Sequence, residues 1–335
     1  MNKKESLLDQ SLLIPFAILT AISIVFIYSS SSVVADTDFG NQYFYLQRQL
    51  IALSIGLLAG SIFLFIPISF YKENGLLLLL FSAFLLTLVF IPGVGVEKNG
   101  SLRWINIGFN IQPSEIAKIF VPIYLCGYCL RRKEQLENSW WGFIKPLILT
   151  SIISILLLLE MDLGATVVIF AIGIIILFIG GAKFNQLLLL FLVFLSTVIL
   201  IAYFNEERWS RVVSFSNPWD DVGGSDYQLI NALVASVQGG FSGLGIGEST
   251  QKYYFLPESH TDFIFSIFIE ETGVIGMSIL FACYLMILWR LFRLADRSMK
   301  KNFFFNSLLI SFFALLFFMQ TSLNIFVNLG LIPTK

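Results

Sequence analysis

The stretch PESHTDFIFSIFIEE, residues 257–271, gathers groups that could move a proton. It holds the only histidine of the chain, His260, between Glu258 and Asp262, and ends on Glu270 and Glu271. A carboxylate where a helix enters a membrane can accept a proton from a hydroxyl. It can equally serve as a charge complement to the helix dipole. The residues alone leave both readings of Asp262 open. If Thr261 caps the helix, Glu270 and Glu271 lie about 12–14 Å deeper than Asp262, from a rise of about 1.5 Å per residue. Acids at that depth are costly and are candidates for function. Lys118 is the partner the sequence offers them, with a water-filled cavity as the alternative. His260 reads as a loop hydrogen-bonder rather than a base.

A second polar set is NGSLRWINIGFNIQPSEIAK, residues 99–118. Pro113 suits the first position of a helix, which puts Glu115 in the first turn and Lys118 on the same face. The pair is a structural ion bridge or a polar floor beneath a substrate, and both can hold. CGYC at 126–129 has the spacing of a redox or zinc pair, but there is no second pair. It reads as small packing residues in an apolar helix, as does Cys283. GLGIGES, residues 243–249, lacks the strand and helix of a phosphate-binding loop. Its glycines read as flexible loop residues that would allow close backbone approach to a ligand.

The elements that must position these residues are membrane helices. The chain is 57% hydrophobic and 13% charged, against roughly 25% charged in ordinary soluble domains. Apolar runs predict helices at 11–34, 49–70, 75–93, 113–130, 146–160, 165–181, 186–204, 263–288 and 303–324. The expected fold is all-α: one polytopic membrane helix bundle over residues 1–335, with nine helices. Lys3, Lys4, Lys72, the run 131–133, Lys145, Lys183 and the bases from Arg290 to Lys301 fall on one side. That side is cytoplasmic by the positive-inside rule, and so is the N-terminus. Trp140 and Trp141 then anchor the inner interface. The long loop 205–262 lies outside. Within it, Tyr227, Leu229, Ile230, Leu233, Val234 and Val237 form a helical stripe, predicting a helix lying on the membrane surface. Net charge of −1 and the absence of a basic tail give no signal for nucleic acid.

Taken in order, RWINIG with QPSE, MDLGA at 161–165, YQL with GGFSGLGIGES, and LPESHTDFIF with EETG resemble the SEDS family of bacterial cell-wall proteins (shape, elongation, division and sporulation). The resemblance runs from YSSSS at 28–32 to LIPTK at the end. IPGVGVEKNG at 91–100 and NPWDD look more like the division branch than the elongation branch. The resemblance implies a peptidoglycan glycosyltransferase that polymerises lipid II at the outer face of the bacterial cytoplasmic membrane, at the division septum. It places the family's essential aspartate at Asp262. Arg48, Arg103, Glu115, Lys118, Asp162 and Lys252 fall on matching charged positions and are substrate-binding candidates, with Glu258 and His260 beside Asp262. MDLGA departs from the usual QPDLGT, with Glu160 and Met161 before the aspartate. The implied partners are lipid II, the growing glycan strand, a class B penicillin-binding protein acting as transpeptidase, other division proteins and membrane lipids. No cofactor is demanded, and a divalent cation such as Mg could assist. The family usually continues past IPTK into a tenth helix, so the expectation is that a last helix is missing here. A lipid II flippase and a non-catalytic transpeptidase scaffold are the rival readings. A flippase should need charges through the full membrane depth, whereas the cytoplasmic half is poor in buried charge.

Overall fold

The structure, a computed structural model, describes residues 9–98, 101–106, 110–204, 209 and 227–332. Lys3, Lys4, NPWDD and the final residues of IPTK lie outside them. Apart from one small sheet the described chain is helical, and six of its helices are long and apolar enough to cross a membrane. It is an all-α membrane protein in which two compact units divide the chain. One holds residues 1–65, 200–290 and 320–335, and the other 66–199 and 291–319.

The first unit begins with α1 (Gln10–Phe39) and α2 (Phe44–Phe65). Asp9 starts α1 by accepting from the Ser11 amide at 3.0 Å, a common N-cap device. Arg290 bonds the same carboxylate at 2.6 Å and holds its acid below the usual range. Gly40 ends the helix in the left-handed conformation, its amide bonded to the Asp36 carbonyl.

The second unit carries α3 (Ile68–Glu73), α4 (Gly75–Leu88), α5 (Pro113–Arg131), α6 (Lys133–Asn138), α7 (Trp140–Leu159), α8 (Leu163–Ile179) and most of α9 (Phe184–Tyr203). Between α4 and α5 lies an antiparallel sheet that the sequence did not signal, with β1 (Gly95–Lys98), β2 (Ser101–Asn106) and β3 (Asn110–Ile111) in that order. Strands this short carry too few residues for alternation to show. α5 packs against α4 and α8, and Cys126 and Cys129 are buried there as free thiols.

Returning to the first unit, α10 (Tyr227–Gln238) is a helix where the stripe predicted one. Its Leu229, Ile230, Ala232 and Ala235 are buried, Ala232 in a core with Leu256, Phe263, Ile267 and Val327, while Val237 of the stripe is exposed. The next helix, α11 (Ile264–Lys300), runs well past the predicted end at 288 and is broken at Gly273, with φ 64° and ψ −161°. The final helix is α12 (Phe304–Asn328).

The break in α11 frees backbone groups that lipid cannot satisfy. The glycine loop after α10 satisfies them. The Leu244 and Gly245 amides donate to the Glu270 and Glu271 carbonyls at 2.9 and 3.1 Å, and the Val274 and Ile275 amides donate to Gly240 and Phe241. Gly239 and Gly243 therefore admit the backbone of α11, while a Cβ on Gly247 would meet nothing within 4 Å. A Cβ on Gly243 would sit 2.2 Å from the Glu271 carbonyl oxygen, whereas one on Gly240 meets nothing within 4 Å. Both have positive φ. Gly240→Ala should cost only the left-handed penalty of about 1–2 kcal/mol. Gly243→Ala should cost distinctly more. Melting of the two purified variants in detergent checks this, and equal losses would contradict the interlock.

Candidate functional site

In the first unit the serine run of α1 is the starting point. Ser30 and Ser31 turn back onto the Phe26 and Ile27 carbonyls, the usual retreat of a serine inside a helix. Ser29 instead points outward and donates to both oxygens of Glu271, at 2.6 and 2.8 Å. Lys252 approaches Glu271 at 3.3 Å and also donates to the Gly247 carbonyl. Glu270 accepts from the Thr250 amide at 2.9 Å, the Thr250 hydroxyl at 2.8 Å and the Ser249 hydroxyl. Both acids are thus buried and satisfied within protein.

This corrects the expected pairing of Lys118 with Glu270 and Glu271. The cation at Glu271 is Lys252, because the glycine loop that repairs the Gly273 break brings residues 249–252 onto the same stretch of α11. Lys252 is only 4% exposed, so its ammonium is already committed.

The chain next reaches the turn that carries Asp262. Glu258 has φ 54°, and its carbonyl accepts the Thr261 and Phe263 amides at 3.1 and 3.2 Å. Thr261 does not cap α11, since its hydroxyl donates to the Glu258 carboxylate at 2.6 Å. The cap comes from α12. Buried Asn328 accepts from the Ser266 amide at 3.0 Å and the Ser266 hydroxyl at 2.8 Å. It donates to the Asp262 carbonyl at 2.8 Å, and Asn324 adds a longer bond at 3.3 Å. Asp262 is left half-buried, two residues ahead of the helix. The positive end of that helix favours a carboxylate there. His260 lies with its ring centre 4.3 Å from that of Tyr45. Burial depresses its pKa, while Glu258 and Asp38 pull the other way, so at neutral pH the ring is uncharged. Arg48 lies over the Phe44 ring at 4.3 Å.

In the second unit a separate polar turn joins α7 to α8. Asp162 caps α8 by accepting from the Ala165 amide at 3.0 Å, and Gln112 donates to its other oxygen at 3.3 Å. Arg103 on β2 clamps the turn, donating to the Glu160 and Met161 carbonyls at 3.3 and 2.6 Å. Met161 takes φ 61°. Glu160 is fully buried, and neither carboxylate oxygen has a hydrogen-bond partner among the described residues. Burial first, and Asp162 second, push its pKa up to about 8 against the pull of Arg103. Glu115 and Lys118 form their bridge at 2.6 Å on α5.

The turns therefore group Glu258, His260 and Asp262 in one unit. They group Arg103 with Asp162, and Glu115 with Lys118, in the other. Sequence reasoning passed over Asn328 and Asn324, although two asparagines four residues apart in an apolar helix were a readable signal. It treated Glu160 only as a departure from a motif. Among the described residues no three or more His, Cys, Asp or Glu side chains could together hold a metal ion.

Residues 9–335 match the FtsW/RodA/SpoVE family, described as "Cell cycle protein". The chain is 40% identical over 329 residues to a "Probable peptidoglycan glycosyltransferase FtsW" of Pseudomonas fluorescens, covering 98% of this chain and 81% of that protein. It is 38% identical over 318 residues to the protein of the same name in Buchnera aphidicola, covering 95% and 79%. Among solved structures it resembles a chain from "Structural coordination of polymerization and crosslinking by a peptidoglycan synthase complex". That likeness has a TM-score of 0.78 and 27% identity, over 97% of this chain and 88% of the other. It also resembles the rod shape determining protein RodA of Thermus thermophilus, with a TM-score of 0.67 and 25% identity, over 96% and 85%.

Two outcomes follow from the charges. Lys252→Met should strand a buried Glu271 and cost about 3–5 kcal/mol, with Glu271→Gln in the same chain recovering much of it. Lys118→Met should cost less, because the carboxylate it leaves, Glu115, is 54% exposed and hydrated. Detergent melting of the three variants checks the order, and a larger loss from Lys118→Met would refute it. For Glu160 the folded pKa lies above the ordinary 4.5. The stability it contributes is complete below pH 4.5 and is lost as pH rises to about 8. Glu160→Gln should flatten that part of the melting-temperature profile and be the more stable form at pH 8. Superimposable wild-type and variant profiles would contradict this.

Proposed function

The chain belongs to the FtsW/RodA/SpoVE family of cell cycle proteins, and from that premise we infer that it is a peptidoglycan glycosyltransferase polymerising lipid II into glycan strands at the outer face of the cytoplasmic membrane. The observation that carries the inference is near-full-length identity of about 40% to proteins named for that activity. The Asp262 turn adds a chemical rationale.

A hydroxyl of one lipid-linked sugar attacks the anomeric carbon of another. The new glycosidic bond forms as the bond to the diphosphate breaks, and undecaprenyl diphosphate leaves with the electron pair. The hydroxyl proton passes to the Asp262 carboxylate. Asp262 suits this task because it is partly open to solvent while its backbone is held. Such a base contributes roughly 10²–10⁴-fold. Glu258 and His260 flank it as candidates to bind the sugar. Arg48, in the same unit as Asp262, carries charge that would balance a diphosphate. Lys252 contributes indirectly, by neutralising Glu271 beneath the Asp262 turn.

The enzyme reading is favoured over a flippase by the state of Glu270 and Glu271. A headgroup path needs wet, exchangeable charges, and these two are closed off by hydroxyls, amides and one ammonium. A transpeptidase of the class B penicillin-binding protein type is the fitting partner, since a solved neighbour is described as a peptidoglycan synthase complex that coordinates polymerization and crosslinking. Likeness to proteins named FtsW supports a division role at the septum of the inner membrane.

Asp262→Asn keeps the shape of the side chain and removes the proton acceptor. It should leave a folded, partner-binding protein whose strand synthesis from labelled lipid II falls by roughly 10²–10⁴-fold. Near-normal strand yield from the purified complex would sink the assignment.

A further inference from the structure

Asn328 stands outside the charged positions discussed so far, yet both polar atoms of its side chain are fully engaged. It is fully buried. Its carbonyl oxygen accepts the Ser266 amide and hydroxyl, and its amino group donates to the Asp262 and Asn324 carbonyls, the last at 2.8 Å. Two lone pairs and two hydrogens are all used. The orientation of the amide is settled by its partners. A backbone N–H can only donate and a backbone carbonyl can only accept, so the oxygen must face Ser266 and the nitrogen must face Asp262.

We propose that Asn328 is a positioning residue for the reaction, setting the direction of the Asp262 carboxylate by fixing the peptide that follows it. This rests on the reading of Asp262 as the general base. The peptide between Asp262 and Phe263 is pinned at both ends. Its carbonyl is held by Asn328, with Asn324 as the longer second donor, and its N–H by the Glu258 carbonyl at 3.2 Å. Fixing that plane restricts the backbone of Asp262 and so the region its carboxylate can reach. A displacement of about 1 Å at a reacting group can cost on the order of 10²-fold in rate. Capping alone does not require this residue, because aspartate caps a helix as well as asparagine does. What aspartate lacks is the pair of donors turned towards Asp262 and Asn324.

Asn328→Asp separates the two roles. It keeps the acceptor for Ser266, so the start of α11 stays capped. It replaces the donor at the Asp262 carbonyl with an oxygen, which repels it. Strand synthesis by the purified chain with its transpeptidase partner, from labelled lipid II, should show kcat lowered by roughly 10- to 100-fold. KM should stay within about twofold, and detergent melting within a few degrees of wild type. Asn328→Ala should lose at least as much kcat. A folded Asn328→Asp with wild-type kcat, while Asp262→Asn is inactive, overturns the positioning role alone. An active Asp262→Asn overturns the base assignment and this proposal with it. Failure of both Asn328 variants to fold also overturns it, since the residue would then be part of the scaffold.

Discussion

A membrane helix cannot be interrupted without something to take up its backbone. The break at Gly273 in α11 is that constraint, and much of the first unit is arranged around it. Carbonyls at 270 and 271 and amides at 274 and 275 leave the helical ladder. In hydrocarbon each unsatisfied group would cost several kcal/mol. Only a chain without side chains at the contact can come close enough, which is why glycines stand at 239 and 243. Once the loop is seated, Glu270 and Glu271 lie against the residues that follow it. Ser249, Thr250 and Lys252 are drawn in, and Ser29 of α1 closes the other side. The buried acids are thus a consequence of the break as much as a feature in their own right. They hold the covering loop in place through side chains where its own glycines have none.

The turn between α7 and α8 follows the opposite logic. There the carboxylate of Glu160 is buried without a hydrogen-bond partner among the described residues, while its carbonyl and that of Met161 are gripped by Arg103. Burial without a donor favours the protonated form of Glu160, and so this turn is sensitive to pH. The two sites show that burial by itself does not decide the state of an acid. The hydrogen bonds that accompany burial do.

The positions of the long helices were legible because length and apolarity are properties of single segments. α1, α5, α7 and α12 follow directly from their runs, and Pro113 marked the start of α5 as expected. The stripe on α10 was also visible, but a stripe tells only that one face is covered. It cannot tell whether lipid or Leu256 and Phe263 cover it. The sheet at 95–111 left too short a signal, and the continuation of α11 to Lys300 was hidden because its last turns are charged. Ion-pair partners were the weakest inference. Lys118 was a reasonable neighbour for Glu271 on depth alone, but Lys252 became the partner through a loop path that composition does not encode.

Asp262 gains meaning from this arrangement rather than from its own surroundings alone. A base must be open enough to meet a substrate and still be held in a single direction, and an exposed turn ordinarily provides only the first. Here the side chain is half-buried and the backbone is held by hydrogen bonds. Glu258 fixes the amide that follows Asp262, and α12 reaches across to fix the carbonyl and start the next helix. Beneath it, the satisfied acids of α11 keep the helix from shifting to find other partners. A residue whose only task was to complement a helix dipole would need none of this, because the dipole acts on charge over the whole first turn and tolerates a mobile side chain. A residue that must take a proton from one hydroxyl needs a fixed direction, since proton transfer depends on hydrogen-bond geometry. The restraint on the backbone of Asp262 is therefore the feature that supports the proposed catalytic reading over the electrostatic one.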